Sequence, residues 1–225
     1  MDEADIIPLA EGFADRFDQK AQTACQLYII SPPALDFDFP DRLERALDGG
    51  AVAAFQLRLK GIDEHAIARL AAPLQKLCAD HEAAFIVNDS VGLAKRLGAD
   101  GVHLGQDDGD PRAARDILGR DAQIGVTCHN SRHLAMEAGE AGADYVAFGS
   151  FYQTNTKITS HSADTGLLSW WTVITPIPCV AIGGITPENA APLIAAGADF
   201  IAVSAAIWQH PGGEDVAVRA FNALF

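Results

Sequence analysis

The feature that most constrains how this chain folds is a regular alternation of short apolar strands with Ala-rich segments of helical spacing. Eight strand candidates follow residue 25. Their ranges are Gln26–Ser31, Ala54–Lys60, Ala84–Asp89, Gly101–Gly105, Gln123–Cys128, Tyr145–Phe151, Cys179–Gly184 and Phe200–Ala205. Strands such as 179–184 are apolar on both faces, which is typical of parallel strands that are covered on both sides.

A repeated motif marks the entry into three of these strands. Gly-Ala-Asp occurs at 98–100, 142–144 and 197–199, and we interpret each copy as a helix end with a glycine cap followed by a turn into a strand. Helix starts are predicted after Asp89-Ser90, after Asn130-Ser131 and at Thr186-Pro187-Glu188. The sequence is therefore built from repeated strand–helix units.

Eight such units close most economically into a (β/α)8 barrel, the TIM barrel. The alternative is an open doubly wound sheet, which would leave edge strands, and neither terminal strand is short or charged enough for an edge. The length of 225 residues suits one barrel domain over the whole chain, 1–225. Residues 1–25, weakly amphipathic from Leu9 to Phe17, predict an extra N-terminal helix over the bottom of the barrel.

Charge and composition exclude several classes of function. Lys and Arg number 16 against 30 Asp and Glu, a net charge of −14 that disfavours nucleic acid as a partner. No apolar run reaches membrane length and the acidic N-terminus lacks the basic start of a signal peptide, so we expect a cytoplasmic protein without a membrane partner. The four cysteines have no metal-ligand spacing, and we expect Cys128 and Cys179 to be buried thiols. A homo-oligomer is compatible with the sequence, which does not define the oligomeric state.

The second strand carries an unusual alternation of charge. Gln56, Arg58 and Lys60 alternate with Leu57 and Leu59. In a barrel the leucines would face the helices and the polar side chains would face the interior, with the upper two reaching the C-terminal mouth where ligands bind. A buried structural ion pair is the alternative, but three polar groups exceed the needs of one pair.

Polar groups also follow the other strands at their C-terminal ends. They are Asn88, Asp89, Asp108, Thr127, His129, Thr154, Thr156, Lys157, Gly183, Gly184 and Ser204. For Asp89 alone a helix cap is an equally good interpretation. As a set, these residues predict a catalytic rim that binds small-molecule substrates.

The chemistry of this rim suggests two anion sites. Asp89 and Asp108 could hold a hard divalent cation such as Mg²⁺ through carboxylate oxygens, together with waters and substrate phosphates. Arg58, Lys60 and Lys157 would add positive charge for the same phosphates. The glycine pair at 183–184, before a predicted helix, offers backbone amides to a second phosphate, as does the loop after the eighth strand.

These residues lie in five blocks that resemble the thiamine phosphate synthase family. The blocks are QLRLK at 56–60, NDSVGLAKRLGADGVHLGQDD at 88–108, GVTCH at 125–129, DYVAFGSFYQTNTK at 144–157 and VAIGGITPENAAPLIAAGADFIAVSAAI at 180–207. The resemblance spans nearly everything from Leu27 to about Ile207. It implies a Mg²⁺-dependent transferase of thiamine biosynthesis that joins hydroxymethylpyrimidine pyrophosphate to thiazole phosphate, giving thiamine phosphate and pyrophosphate.

The resemblance also implies roles for individual residues. In the family, loss of pyrophosphate leaves a carbocation-like pyrimidine that the thiazole nitrogen captures. The metal ligands would be Asp89 and Asp108. The residues that hold pyrophosphate would be Arg58, Lys60, Asn88 and Lys157, and the three cations among them would be catalytic. The residues that orient the pyrimidine would be Gln56 and Thr127. The residues that place thiazole phosphate would be Thr154, Thr156, Gly184 and Ser204.

Several positions depart from the family pattern. Ser150 and Gln153 replace prolines of the strand-six loop, Thr127 replaces a serine, and Ser204-Ala205 reads one residue out of step with the usual Val-Ser. Two other functions therefore stay open: a thiazole tautomerase of the same fold, for which His129 would be the key residue, and a non-catalytic protein that binds thiamine phosphates. His103, in mid-strand, is predicted to be a hydrogen-bonded histidine of the barrel interior and not a metal ligand.

Overall fold

The computed structural model describes residues 24–153 and 162–225. Within these ranges the strands are β1 (Gln26–Ile30), β2 (Ala54–Leu57), β3 (Ala84–Asn88), β4 (Gly101–Leu104), β5 (Gln123–His129), β6 (Tyr145–Gly149), β7 (Cys179–Ile182) and β8 (Phe200–Val203). The helices are α1 (Phe39–Asp48), α2 (Glu64–Asp80), α3 (Val91–Leu97), α4 (Pro111–Leu118), α5 (Arg132–Glu140), α6 (Thr165–Ile174), α7 (Ala191–Ala195), α8 (Ala205–Trp208) and α9 (Glu214–Asn222).

The strands form a closed parallel barrel in sequence order, with β8 pairing with β1. The predicted (β/α)8 barrel is confirmed, and the open-sheet alternative is wrong. Each predicted strand is present, although all but β5 end one or more residues before the predicted bound. The helix predicted for residues 1–25 falls almost entirely outside the described residues. No helix in the described ranges is both long and apolar enough to cross a bilayer.

Two apolar layers hold the barrel together. The inner layer fills the barrel and consists of Tyr28, Ile30, Ala54, Ile86, Tyr145, Ala147, Val180 and Ala202. The outer layer lies between strands and helices, and it includes Leu57 and Leu59. The leucines of the second strand therefore face the helices as predicted, and the polar residues that alternate with them face the barrel interior and its mouth.

The Gly-Ala-Asp motif has a structural role that goes beyond a turn. Each aspartate lies just before an even-numbered strand and its carboxylate accepts a hydrogen bond from a backbone amide at the start of the preceding odd-numbered strand. The distances are 2.7 Å from Phe85 N to Asp100, 2.6 Å from Ile124 N to Asp144 and 2.8 Å from Cys179 N to Asp199. The motif thus ties neighbouring strands together at the bottom of the barrel.

We expect Asp144→Ala to destabilise the fold by about 2–4 kcal/mol, because it removes the acceptor of the Ile124 amide and the salt-bridge partner of Arg115. Equilibrium unfolding in denaturant measures this change. Asp116→Ala, on the exposed face of α4, is the matched control and should shift stability by less than about 0.5 kcal/mol. Equal changes in the free energy of unfolding for the two substitutions would show that the Asp144 carboxylate does not stabilise the strand pairing.

One predicted helix start is wrong. Thr186 was expected to begin a helix directly after the glycine pair, but α7 begins only at Ala191. Residues 186–189 instead form a turn, in which the Asn189 side chain accepts from the Thr186 amide at 2.8 Å and donates to Gly184 O at 3.1 Å. Pro192 explains the late start, because proline is tolerated in the first turn of a helix but breaks its interior.

All four cysteines lie among the described residues, and each is a buried thiol that is not part of a disulfide. Burial raises the pKa of Cys25, Cys78 and Cys128 to about 12, so these thiols stay protonated and unreactive. We expect an alkylating agent at mildly alkaline pH to label the native protein slowly and the denatured protein at all four positions, measured by mass spectrometry. Rapid labelling of Cys128 in the native state would contradict this placement.

Candidate active site

A cavity of about 200 Å³ opens at the C-terminal ends of the strands. All eight strands contribute to its wall, through Ile30, Gln56, Asn88, His103, Thr127, Gly149, Ile182 and Ala202. Further lining comes from the segments that follow the strands, including Ser31, Arg58, His129, Ser150, Gly183, Gly184 and Ser204. The predicted rim residues among these therefore do converge on one site.

The polar side of the second strand lies in this wall. Gln56 is buried, and its amide donates to Asn88 Oδ1 at 3.2 Å. Arg58 lines the cavity two residues further along, just after the end of β2, and none of the salt bridges among the described residues involves it. Among the described residues, this arrangement argues against the alternative of a buried ion pair for Arg58, which lines the cavity.

Ser31 holds this part of the site in place, although no sequence pattern indicated a role for it. Its buried hydroxyl accepts from the Arg58 amide at 2.9 Å, which fixes the backbone that carries the guanidinium. Its carbonyl accepts from the Ser204 hydroxyl at 3.2 Å. A single serine at the end of β1 therefore connects β2 and β8, and the Ser204 hydroxyl is directed at the backbone of β1.

Asp89 is not a helix cap. The cap of α3 is Ser90, whose hydroxyl accepts from Leu93 N at 3.1 Å, and this leaves the Asp89 carboxylate for the site. Asp89 has a left-handed backbone with φ of 64°, which is uncommon outside glycine and frequent at functional positions. Its carboxylate lies 3.1 Å from Lys60 Nζ.

Asp108 lies beside Asp89, as predicted. Its carboxylate accepts from Gly105 N at 2.9 Å, which folds the loop after β4 back over the strand end. Burial raises the pKa of Asp108, and the neighbouring Asp89 carboxylate raises it further through a shared hydrogen bond and through charge repulsion. Two hard oxygen donors that repel each other form a favourable environment for a divalent cation.

The number of donors constrains which cation fits. Within residues 24–153 and 162–225, no group of three or more His, Cys, Asp and Glu side chains could hold a metal ion. A pair of carboxylates is what Mg²⁺ takes from a protein when waters and substrate phosphates complete its shell. The described carboxylate pair therefore fits Mg²⁺.

The barrel interior below the cavity contains a chain of hydrogen bonds. Tyr28 Oη lies 3.1 Å from Tyr145 Oη, which lies 3.1 Å from His103 Nδ1, and His103 Nε2 lies 2.8 Å from Thr127 Oγ1. His103 is thus a hydrogen-bonded interior histidine, as predicted. The two tyrosines were missed, although polar rings in otherwise apolar strands are the signal that could have indicated them.

The opposite side of the cavity is built from backbone. Gly183 and Gly184 have φ of 105° and 64°, and a Cβ on either would lie within 2.3 Å of Ser150 or of Gln153 O. After β8, Ile207 and Trp208 donate their amides to Ser204 O, so the amides of residues 205 and 206 precede the first bond of α8. Both loops line the cavity and can offer N–H groups to an anion.

Ser150 and Gln153 replace prolines in the strand-six loop, yet residues 151 and 152 of this loop are held by hydrogen bonds. Phe151 N donates to Ile182 O at 3.2 Å and Tyr152 N donates to Gly183 O at 3.0 Å. The Tyr152 hydroxyl also donates to Asn189 O at 2.7 Å. These contacts use backbone and a tyrosine, so they do not depend on proline. Thr154, Thr156 and Lys157 lie outside the described residues, and their roles stay predictions.

The fold and the site together define a (β/α)8-barrel enzyme whose mouth pairs carboxylates with basic side chains on one side and exposes backbone amides on the other. The family model for thiamine monophosphate synthase matches residues 27–207. The chain therefore belongs to the thiamine monophosphate synthase family.

Individual relatives agree with this membership. The chain is 64% identical over 200 residues to the thiamine-phosphate synthase of Erythrobacter litoralis, with 87% of this chain and 93% of the relative covered. It is 53% identical to that of Rhodospirillum centenum, with 90% and 98% covered. Among solved structures, thiamine phosphate pyrophosphorylase from Pyrococcus furiosus is similar with a TM-score of 0.79 and 30% identity, covering 90% of this chain and 96% of that chain.

Proposed function

We propose that this protein is a Mg²⁺-dependent thiamine phosphate synthase, which condenses hydroxymethylpyrimidine pyrophosphate with thiazole phosphate and releases pyrophosphate. The observation that carries the proposal is the Asp89–Asp108 pair in contact with Lys60, together with Arg58, two residues before Lys60, in the wall of the cavity. A cation held by the carboxylates, together with the basic side chains, would neutralise the negative charge of the pyrophosphate as it leaves.

Asp89 and Asp108 would hold Mg²⁺, which supplies charge for the departing pyrophosphate as a Lewis acid. Lys60 lies in salt-bridge contact with Asp89, so its ammonium reaches the same phosphates. Arg58 lies two residues before Lys60 on the same segment after β2, with a guanidinium suited to bidentate contact with phosphate oxygens. We assign Lys157 to the same group from the family resemblance.

The pyrimidine would bind deeper in the cavity, between β2 and β5. Gln56 and Asn88 are linked side chain to side chain, which fixes the direction of the Gln56 amide. Thr127 is fixed by its bond to His103. These groups support orientation of the ring, so that its methylene carbon faces the second substrate.

The thiazole phosphate would bind on the backbone side. Amides at 183–184 and at 205–206 offer N–H donors without a positive side chain. The two anion sites lie on opposite sides of one cavity, which supports an arrangement in which thiazole nitrogen and pyrimidine carbon meet between them. We further propose a cytoplasmic location, since doubly charged phosphate substrates do not cross an apolar bilayer freely.

A steady-state assay tests the proposal. Purified protein is mixed with both phosphorylated precursors across a Mg²⁺ titration, and thiamine phosphate is measured. We expect turnover that rises with Mg²⁺ and disappears in chelator. Rearrangement of the thiazole ring without condensation would instead show a tautomerase that uses His129, and binding of both precursors without product would show a non-catalytic relative.

A further inference from the structure

The hydrogen-bonded chain below the cavity is built into the barrel. His103, Gly125 and Tyr145 occupy one row across three neighbouring strands, and the two rings stack with centroids 5.6 Å apart. A Cβ on Gly125 would lie 2.0 Å from Tyr145 Cζ, so the glycine makes room for the tyrosine ring. Tyr28 lies similarly between Ala54 and Ala202 in the pairing register. Small residues thus leave space for a polar chain inside an apolar barrel.

The protons of this chain can be counted. Tyr28, Tyr145 and Thr127 each carry one hydroxyl proton. His103 carries one ring proton, because its ring is buried and both of its nitrogens hydrogen-bond to hydroxyl groups, an environment that disfavours the charged imidazolium. Three links use three of these four protons. One proton is left over. It lies at one end of this hydrogen-bonded chain, or on Tyr145 if that hydroxyl accepts from both of its neighbours, and Tyr145 is buried in the same apolar layer as Tyr28.

The two ends of the chain differ in their surroundings. At the lower end the Tyr28 hydroxyl is buried among Ile30, Ile86 and other apolar residues, and Tyr145 is its one hydrogen-bond partner within the described part of the chain. At the upper end Thr127 lines the cavity, where water or a ligand can accept a proton. An unpaired hydroxyl proton in an apolar interior is disfavoured by about tenfold or more, so the spare proton belongs to Thr127.

We propose that Tyr28, Tyr145 and His103 are positioning residues that fix Thr127 as a hydrogen-bond donor to the substrate. Tyr28 donates to Tyr145, Tyr145 donates to His103 Nδ1, and His103 Nε2–H donates to Thr127 Oγ1. The Thr127 oxygen is occupied as an acceptor, and its O–H is directed to an accepting atom of the ligand. The site therefore favours a ligand that presents a lone pair at this position.

That this ligand is the pyrimidine pyrophosphate rests on the proposed function, whereas the order of the protons does not. The first experiment therefore needs no substrate. The protein is labelled with ¹⁵N-histidine, and the ring of His103 is identified by its absence in His103→Gln. We expect the Nε2–H tautomer for His103, with proton attached to the nitrogen that faces Thr127. An Nδ1–H tautomer would overturn the proposal.

A second variant tests the direction of the chain. If protons run from Tyr28 toward Thr127, Tyr28→Phe removes only the first donor, and the tautomer of His103 should not change. In the opposite direction Tyr28 would be the final acceptor. Its loss would then leave the Tyr145 proton unpaired and would reverse the links, so a change of tautomer in Tyr28→Phe would overturn the proposal.

The third measurement joins the chain to catalysis. Thr127→Val removes the donor with little change in shape, and we expect kcat/KM for the pyrimidine pyrophosphate to fall about tenfold to a hundredfold while KM for thiazole phosphate is retained. Thr127→Ser keeps the hydroxyl and should retain at least about tenfold more activity than Thr127→Val. Equal activity of the two variants would refute the donor role. If the wild type itself makes no thiamine phosphate, the proposed function fails, but the tautomer measurement still decides the proton order.

Discussion

Replacing Asp89 by asparagine is expected to reduce Mg²⁺-dependent turnover by at least about a hundredfold, because one of two carboxylates that would hold the cation is lost. Asparagine keeps the shape of the side chain and tolerates the left-handed backbone found at this position, with φ of 64°. The fold should therefore be retained, and circular dichroism with a thermal melt checks this. The rate of thiamine phosphate formation across a Mg²⁺ titration is the measurement.

The control for this substitution is Asp116→Asn, an exposed carboxylate on α4 that should leave turnover unchanged. A shift of the Mg²⁺ requirement to higher concentration in Asp89→Asn, absent from the control, would link the loss to the metal. Wild-type activity of Asp89→Asn in chelator would show that the carboxylate pair does not act through a cation.

Replacing Arg58 by methionine is expected to lower kcat about a hundredfold and to change KM for the pyrimidine pyrophosphate much less. Methionine retains an unbranched apolar stem but removes the charge that faces the cavity. Charge on the leaving group grows as the carbon–oxygen bond breaks, so the guanidinium stabilises the transition state more than the bound substrate. Single-turnover kinetics separates the chemical step from binding.

Arg69→Met, on the exposed face of α2, is the matched control for the loss of one positive charge, and it should retain wild-type rates. If Arg58→Met raises KM and leaves the single-turnover rate intact, the guanidinium only binds the substrate. The assignment of Arg58 to leaving-group stabilisation would then be wrong.

The barrel itself could be predicted from the sequence because its signals are local and repeated. Strands apolar on both faces, glycine caps and polar residues at strand ends each follow from short segments. The orientation of the second strand followed for the same reason. In a strand with period-two alternation, the apolar face is directed to the helices and the polar face to the barrel interior once both faces are covered. Gln56 and Leu57 do face opposite sides.

Features that depend on contacts between distant segments were not predictable in this way. The links from Ser31 to Arg58 and to Ser204 join residues 27 and 173 positions apart, and no local pattern indicates them. The hydrogen bond between Tyr28 and Tyr145 joins residues that are 117 positions apart in the sequence. The helix after the glycine pair was placed too early because the effect of Pro192 was not weighed against the capping signal at Thr186.

Asp89 shows how structure separates two interpretations that sequence could not. An aspartate before a helix caps it as readily as it binds a ligand, and the residue type alone does not decide. The structure gives the capping role to Ser90 and places the Asp89 carboxylate against Lys60 and Asp108. The metal-binding interpretation of Asp89 is favoured, because Ser90 already caps the helix.

The most direct test of the central claim is a single turnover followed by rapid quench. Enzyme in excess is mixed with pyrimidine pyrophosphate, thiazole phosphate and Mg²⁺, and both thiamine phosphate and free pyrophosphate are quantified over time. We expect the two products to appear together, in equal amounts and at the same rate, and neither to form in chelator. Formation of neither product in the presence of Mg²⁺, with both precursors bound, would contradict it.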